Sequence, residues 1–176
     1  MSGVRYAGMI RHTLFLAPLV LAACVAAPRP APIAPAPTFD PIAFFDGTTE
    51  GHAVFDKILS HRHAVRVDGH GTVDDEGAVV LDQRVTVEGK PPKMRHWRIH
   101  RVSSNHYAGT LTDAPGGVTG VVSGDRLTLR FRLKGGYDVR QWLTLAPDRR
   151  SAHNIMVVRK LGITVAALDE TIRKTS

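Results

Sequence analysis

From about residue 48 onward, apolar residues return at every second position, and short clusters of turn formers separate the runs. Leu127, Leu129, Phe131 and Leu133 alternate with Arg126, Thr128, Arg130, Arg132 and Lys134, which predicts a strand with one apolar and one basic face. Val79, Leu81, Val85 and Val87 alternate with polar neighbours in the same way. Further strands are predicted over 48–58, 63–73, 94–102, 106–112, 118–122, 139–145 and 152–159. The punctuation between them has a physical reason at each point. Glycine permits positive φ in Asp75-Glu76-Gly77, Gly89-Lys90, Gly135-Gly136 and Ala114-Pro115-Gly116-Gly117, proline presets φ, and Asp and Asn bond their own backbone. The segment Gly162–Arg173 is ambiguous: Ile163 and Val165 fit a strand, whereas Val165, Leu168 and Ile172 fall at helical spacing.

Strands this short, joined by turns this short, pair antiparallel with their sequence neighbours, since parallel pairs need long crossovers. About nine of them leave exposed edges unless the sheet closes on itself. The expected fold is therefore all-β, a single antiparallel up-and-down barrel, with a β-sandwich as the alternative.

Upstream the pattern changes twice. Arg5 and Arg11 precede an apolar run from Thr13 to Ala23, shorter than the about 20 residues needed to cross a bilayer. Met9 offers a second, more compact start for the same signal. The run ends in Leu21-Ala22-Ala23-Cys24, with the only cysteine of the chain, and resembles the lipobox of bacterial lipoprotein precursors. That resemblance implies residues 1–23 as a signal peptide, a lipidated Cys24, and a periplasm-facing protein attached to a membrane through its lipid. Val25, rather than Asp, at the next position is similar to enterobacterial lipoproteins of the outer membrane. From Val25 to Pro41 the composition shifts to alanine and proline. At about 3.1 Å per residue, an extended spacer of this kind holds a domain about 40 Å from a surface. Residues 24–38 are thus expected to form a tether outside the fold, and residues 39–176 the folded domain.

The chain carries a formal charge of +7, which falls to +5 once Arg5 and Arg11 are removed with the signal. A positive excess of this size suits anionic lipid, lipopolysaccharide or nucleic acid, and more often is simply a soluble basic surface. Arg126, Arg130, Arg132 and Lys134 form one basic row, read either as an anionic-headgroup contact or as protection of a strand against edge pairing. No nucleic-acid partner and no cofactor are expected.

Candidate chemistry is sparse. His61 and His63, two apart on a strand, lie about 6.6 Å from each other, close enough to share an ion, whereas His96 and His100 lie about 13 Å apart. No compact cluster marks a metal site, and none is expected. Ser60, Ser103, Ser104, Ser123 and Ser151 lack a Gly-x-Ser-x-Gly context. Asp74, Asp75 and Glu76 beside Gly77 read as a solvated turn. A His/Asp pair such as His70 and Asp68 is the one arrangement a hydrolase would offer, and catalytic function is not expected.

Phe44-Phe45-Asp46-Gly47, His96-Trp97-Arg98-Ile99, Tyr107-Ala108-Gly109, Ser123-Gly124-Asp125-Arg126-Leu127 and Lys160-Leu161-Gly162 occur in this order. Together with the lipobox they resemble a bacterial lipoprotein family classed as a domain of unknown function with a lipocalin-like barrel. The resemblance spans roughly residues 39–174. It implies that Gly162–Arg173 is a strand and offers no catalytic residues to transfer. The expected role is binding or carrying a lipid or other apolar ligand, with the inward Leu127, Leu129, Phe131 and Leu133 as candidate lining. The alternatives are a structural protein binding an envelope partner and, least favoured, an envelope hydrolase.

Overall fold

In the computed structural model, residues 25, 26 and 28–176 are described; Cys24 and the rest of the signal region lie outside the described residues. Ten strands form one closed antiparallel barrel. They are β1 (Gly47–Lys57), β2 (His63–Val73), β3 (Val79–Val87), β4 (Lys93–Arg101), β5 (His106–Leu111), β6 (Ala114–Ser123), β7 (Arg126–Leu133), β8 (Tyr137–Leu145), β9 (Ser151–Lys160) and β10 (Ile163–Lys174). Each strand pairs with its sequence neighbours, and β1 pairs with β10 from Thr49↔Lys174 to Lys57↔Ala166. Every edge is consumed, as the short connections require.

Two sequence expectations need revision or resolution. Ala114-Pro115-Gly116-Gly117 is not a turn but the start of β6; the turn is Thr112-Asp113. Gly109 pairs with Val118 and Leu111 with Ala114, so the extra residues bulge out of the ladder. Gly117, at φ +79°, supplies the backbone conformation this bulge needs. The ambiguous last segment is a strand, as the resemblance implies. A register shift between Thr164 and Ala166 breaks its alternation, after which Leu168, Glu170 and Ile172 share the inner face. One of those three inward residues is charged, which hid the period of two.

A one-turn helix, α1 (Pro41–Phe45), closes one end of the barrel; the pattern of residues did not predict it. Its local logic is simple. The Asp40 carboxylate accepts from the Ile42 and Ala43 amides at 3.0 and 3.3 Å, and Pro41 takes the first helical position. Phe39, Phe44 and Phe45 are buried against Val79, Val122, Leu127, Leu145 and Ile172. Each such side chain contributes about 1.5–3 kcal/mol on burial. We call this the plug end and the opposite end the mouth.

The proline-rich segment 28–38 is no free tether. Ala34 and Asp125 clasp each other twice, Asp125 N–H to Ala34 O at 2.9 Å and Ala34 N–H to Asp125 Oδ1 at 3.0 Å. The Arg126 guanidinium donates to the Ala31 carbonyl, and the Phe39 amide to Gly124 O at 2.9 Å. Nearer its start, Pro28 borders a recess with Val54, Asp56 and Ala167 on the outer wall. The segment is thus a strap, running outside the barrel from the mouth half of β1 and β10 to the β6–β7 turn at the plug end. Proline suits this path because a strand crossing a filled ladder has no pairing partner for most of its amides.

The fold yields two tests. A Cβ added at Gly71 would land on the Phe45 carbonyl oxygen, so Gly71→Ala should push the plug off its seat at a cost of about 1–3 kcal/mol, measured by chemical denaturation. Asp125→Ala should cost about 1–2 kcal/mol and make the strap, but not the barrel, cleavable in limited proteolysis.

Candidate ligand site in the barrel interior

The interior is built in three layers. At the plug end lies the aromatic and aliphatic cluster described above. At the mouth a second cluster forms around Val139, Val158 and Ala166, with Phe55, Leu133, Tyr137 and Met156 only half-buried around it. Between the two clusters runs a polar belt. Strand alternation aims Gln83, Gln141, Asn154 and Glu170 inward, from β3, β8, β9 and β10. They line a cavity of about 70 Å³, with Arg95, Trp97 and Met156 among its other walls.

Two hydrogen bonds tie the belt together. Trp97 Nε1 donates to Gln83 Oε1 at 2.8 Å. Asn154 Nδ2 donates to Glu170 Oε2 at 2.6 Å. Asn154 is 2% exposed, and its Oδ1 has no hydrogen-bond partner. A buried amide oxygen left unpaired costs about 1–3 kcal/mol, which a donor from a water or a guest in the cavity would relieve. Gly51 makes the arrangement possible: any side chain there would collide with Glu170 Oε1. Burial pushes the Glu170 carboxyl above its ordinary range, opposed by the Asn154 hydrogen bond and by the charges of Arg95 and His52. A protonated Glu170 turns the belt into a neutral site with both donors and acceptors.

At about 30 Å³ per liquid water, the cavity holds about two waters. Pockets for drug-sized ligands run to about 300–1,000 Å³. A larger guest therefore enters only by moving side chains, and the half-buried residues of the mouth are the ones free to move. Met156, unbranched and conformationally adaptable, stands between belt and mouth.

The residues singled out from the sequence fall as follows. Leu127 is buried toward the plug, Leu129 lines the cavity, and Phe131 and Leu133 are half-buried toward the mouth. Phe131 meets Trp97 edge-on at 5.7 Å between ring centroids. The basic row is not uniform. Arg126 is 7% exposed and held under the strap, which removes it from any headgroup contact. Arg130 and Lys134 are exposed, and Arg132 donates to Asp138 at 2.8 Å. Arg130 and Arg132 border an open recess on the outer wall with Arg140 and Trp142.

His63 opens β2 on its inward-facing side at the mouth, opposite Phe55, with Nδ1 buried and unpartnered; the other described histidines lie on the outer wall or in connections. His61 lies in the connection just before β2, its ring 4.2 Å from that of His63 between centroids and tilted by 48°, so the two do not share one strand, and His63 Nε2 meets Ser60 Oγ at 3.2 Å. Among the described residues, no group of three or more His, Cys, Asp or Glu side chains is placed to hold a metal ion. His70 is exposed on the outer wall, and Asp68 there is bonded to Arg66 at 3.0 Å, so the two do not converge in a cleft. Asp74 caps its own turn, accepting from the Glu76 and Ala78 amides at 3.0 and 2.9 Å, and the Ala78 amide leads in holding its carboxyl below the usual range. Sequence reasoning missed the belt. Its one visible signal was a Glu at an inward position of a strand, flanked by Leu168 and Ile172.

With this geometry in place, comparison with known proteins gives the class. The architecture is a lipocalin-like barrel. It is similar to an S-type phycobiliprotein lyase, CPES, from Guillardia theta, at 7% identity and a TM-score of 0.62, covering 77% of this chain and 90% of that one. It is also similar to a protein of unknown function from the DUF3598 family of Nostoc punctiforme, at 13% identity and a TM-score of 0.57, covering 79% of this chain and 50% of that one. The chain itself belongs to the family of proteins of unknown function designated DUF3833, whose family model matches residues 18–174. No curated protein matches the sequence. Among the described residues, no helix is long and apolar enough to cross a membrane.

The belt predicts a pH dependence with a definite sign. Glu170 has a raised pKa in the folded state, so its stabilising contribution is complete below the ordinary carboxylate range and is lost as pH rises through the raised value. Glu170→Gln should therefore raise the melting temperature by a few degrees at pH 8 and by less at pH 5. An equal effect at both values would show that the carboxyl does not titrate in that window.

Proposed function

We propose that this protein binds a slender apolar molecule carrying one uncharged polar group, and holds it in the barrel with that group at the Asn154–Glu170 belt. The observation that carries this reading is the buried Asn154 Oδ1, which has no hydrogen-bond partner among the described residues and belongs to a residue lining the small central cavity. The half-buried apolar mouth supports the rest: it suits a hydrocarbon chain trailing outward from the belt. Hydroxyl, amide and protonated carboxyl groups each supply the missing donor while accepting from Gln83, Gln141 or Glu170. A bare anion fits less well, because Arg95, the one inward cation of the site, is already bonded to Asp113 at 3.1 Å.

The place of action in this proposal follows from Cys24. A lipid on that thiol fixes the barrel to the periplasmic face of the outer membrane, where an apolar cargo meets its source and destination. The similar fold of a phycobiliprotein lyase supports a barrel used for handling a ligand, without specifying which one.

The direct test is native mass spectrometry of the full-length protein extracted gently from its membrane. A non-covalent apolar guest is expected, and it should be lost in Asn154→Leu/Glu170→Met. Replacing both partners by apolar groups leaves no orphan, so the double variant should be at least as stable as its parent, which separates lost binding from lost folding. A guest that stays bound to the double variant overturns the belt as its site. Cys24→Ser should abolish acylation, read by incorporation of labelled palmitate, and release the protein from the membrane fraction. Acylation that survives the change overturns the anchor.

A further inference from the structure

The tips of two connections at the mouth carry leucine where the backbone asks for something else. Leu161 has φ +50° and is followed by Gly162 at φ +80°, a tight turn that favours Asn-Gly or Asp-Gly. Leu59, in the β1–β2 connection, has φ +58°. Left-handed backbone is uncommon for a residue of this kind, and both side chains stand in solvent, 95% exposed at Leu59 and 91% at Leu161. Neither local conformation nor packing explains leucine at either position. An apolar partner outside the barrel does.

The two tips belong to one surface. The Ile58 amide donates to Val165 O at 2.9 Å, which draws the β1–β2 connection against the start of β10, next to the turn that holds Leu161. Ile163 beside them is 48% exposed. The same rim carries Lys57, Lys90, Lys93, Lys134 and Lys160 around the barrel. Three of its carboxylates are paired with arginines, Asp56 with Arg62, Asp113 with Arg95 and Asp138 with Arg132, while the exposed Glu88 accepts only from the Ala64 amide at 3.4 Å. The rim thus carries apolar tips on its β1–β2 and β9–β10 side, with lysines beside them and around the rest of the mouth. The N-terminal part of the strap arrives at this half of the wall, where Ala26 and Pro28 lie beside Val54, Asp56 and Arg62.

We propose that the mouth end docks onto an anionic lipid bilayer, with Leu59 and Leu161 entering the acyl region and the lysines contacting headgroup phosphates. Leucine tips and rim lysines match the two chemistries of such a surface, one apolar and one anionic, at adjacent depths. This contact makes no use of the lipid on Cys24 and holds for the unacylated chain. It deepens the carrier reading, on which its biological use rests, because a mouth pressed to the membrane lets an apolar guest pass without crossing water.

The test uses residues 25–176, which close every sheet edge among themselves and include plug and strap. Binding to vesicles of phosphatidylglycerol and phosphatidylcholine is measured by co-sedimentation. The parent should bind the anionic vesicles, release as salt is raised, and bind pure phosphatidylcholine weakly. Leu59→Asp/Leu161→Asp should bind at least about tenfold less while keeping the parent's melting temperature, since neither side chain is packed. Asn154→Leu/Glu170→Met should bind vesicles like the parent, so that failure of the belt and failure of the rim are told apart. No binding by the parent, or equal binding by the leucine variant, would falsify the docking.

Discussion

Everything in this molecule hangs on the seam between β1 and β10. Nine residue pairs, from Thr49↔Lys174 to Lys57↔Ala166, join the first strand to the last and leave the sheet without an edge. Closure also sets the orientation of β10 against its neighbours. Thr49, Gly51 and Ala53 face the interior from one side of the seam, and Leu168, Glu170 and Ile172 from the other. A slip of one residue would turn Glu170 outward into water and bring Asp169 and Thr171 inside. The buried carboxyl and the glycine that makes room for it are thus held together by the same ladder.

The belt sits where a barrel of this size has most to lose. Apolar residues at those positions would fill the centre and lower its energy, and the layers on either side show that the chain has them to hand. Instead the centre holds three amides, a carboxyl and an indole N–H, with Trp97 paired to Gln83, Asn154 paired to Glu170, and the buried Asn154 Oδ1 left without a partner. A polar network in a low-dielectric core fixes geometry more sharply than hydrocarbon, because every misplaced group loses a full hydrogen bond. The aliphatic mouth has no such demand and stays adaptable.

Much of the fold was legible in the residues. Alternation in Leu127–Leu133 and Val79–Val87, together with Asp, Gly and Pro at the turns, carries the meander and its closure. It failed where a strand departs from strict alternation: at Pro115-Gly116-Gly117, which reads as a turn but is a bulge, and at β10, where a bulge and an inward Glu170 disguise the strand. The plug left only a short signature, an Asp40-Pro41 helix start before two phenylalanines. The belt was illegible because glutamine and asparagine at inward positions look like breaks in the pattern until both neighbouring strands are in place. The strap was misread for a different reason. Proline composition rules out pairing, but it does not rule out docking, and Asp125 and Arg126 supply the donors and acceptors that the segment's own backbone lacks.

That docking changes how the barrel answers to a pull. Tension applied at the N-terminal end does not reach β1 directly, although β1 follows in the chain. It is taken first by Arg126 and Asp125 on the β6–β7 side, then by the phenylalanine plug, and only afterwards by the closing seam. The strap works as a strain relief, like a cable clamped to its housing ahead of the joint. A domain held by one end and jostled against a surface keeps the meeting of first and last strand, on which closure depends, out of the line of force.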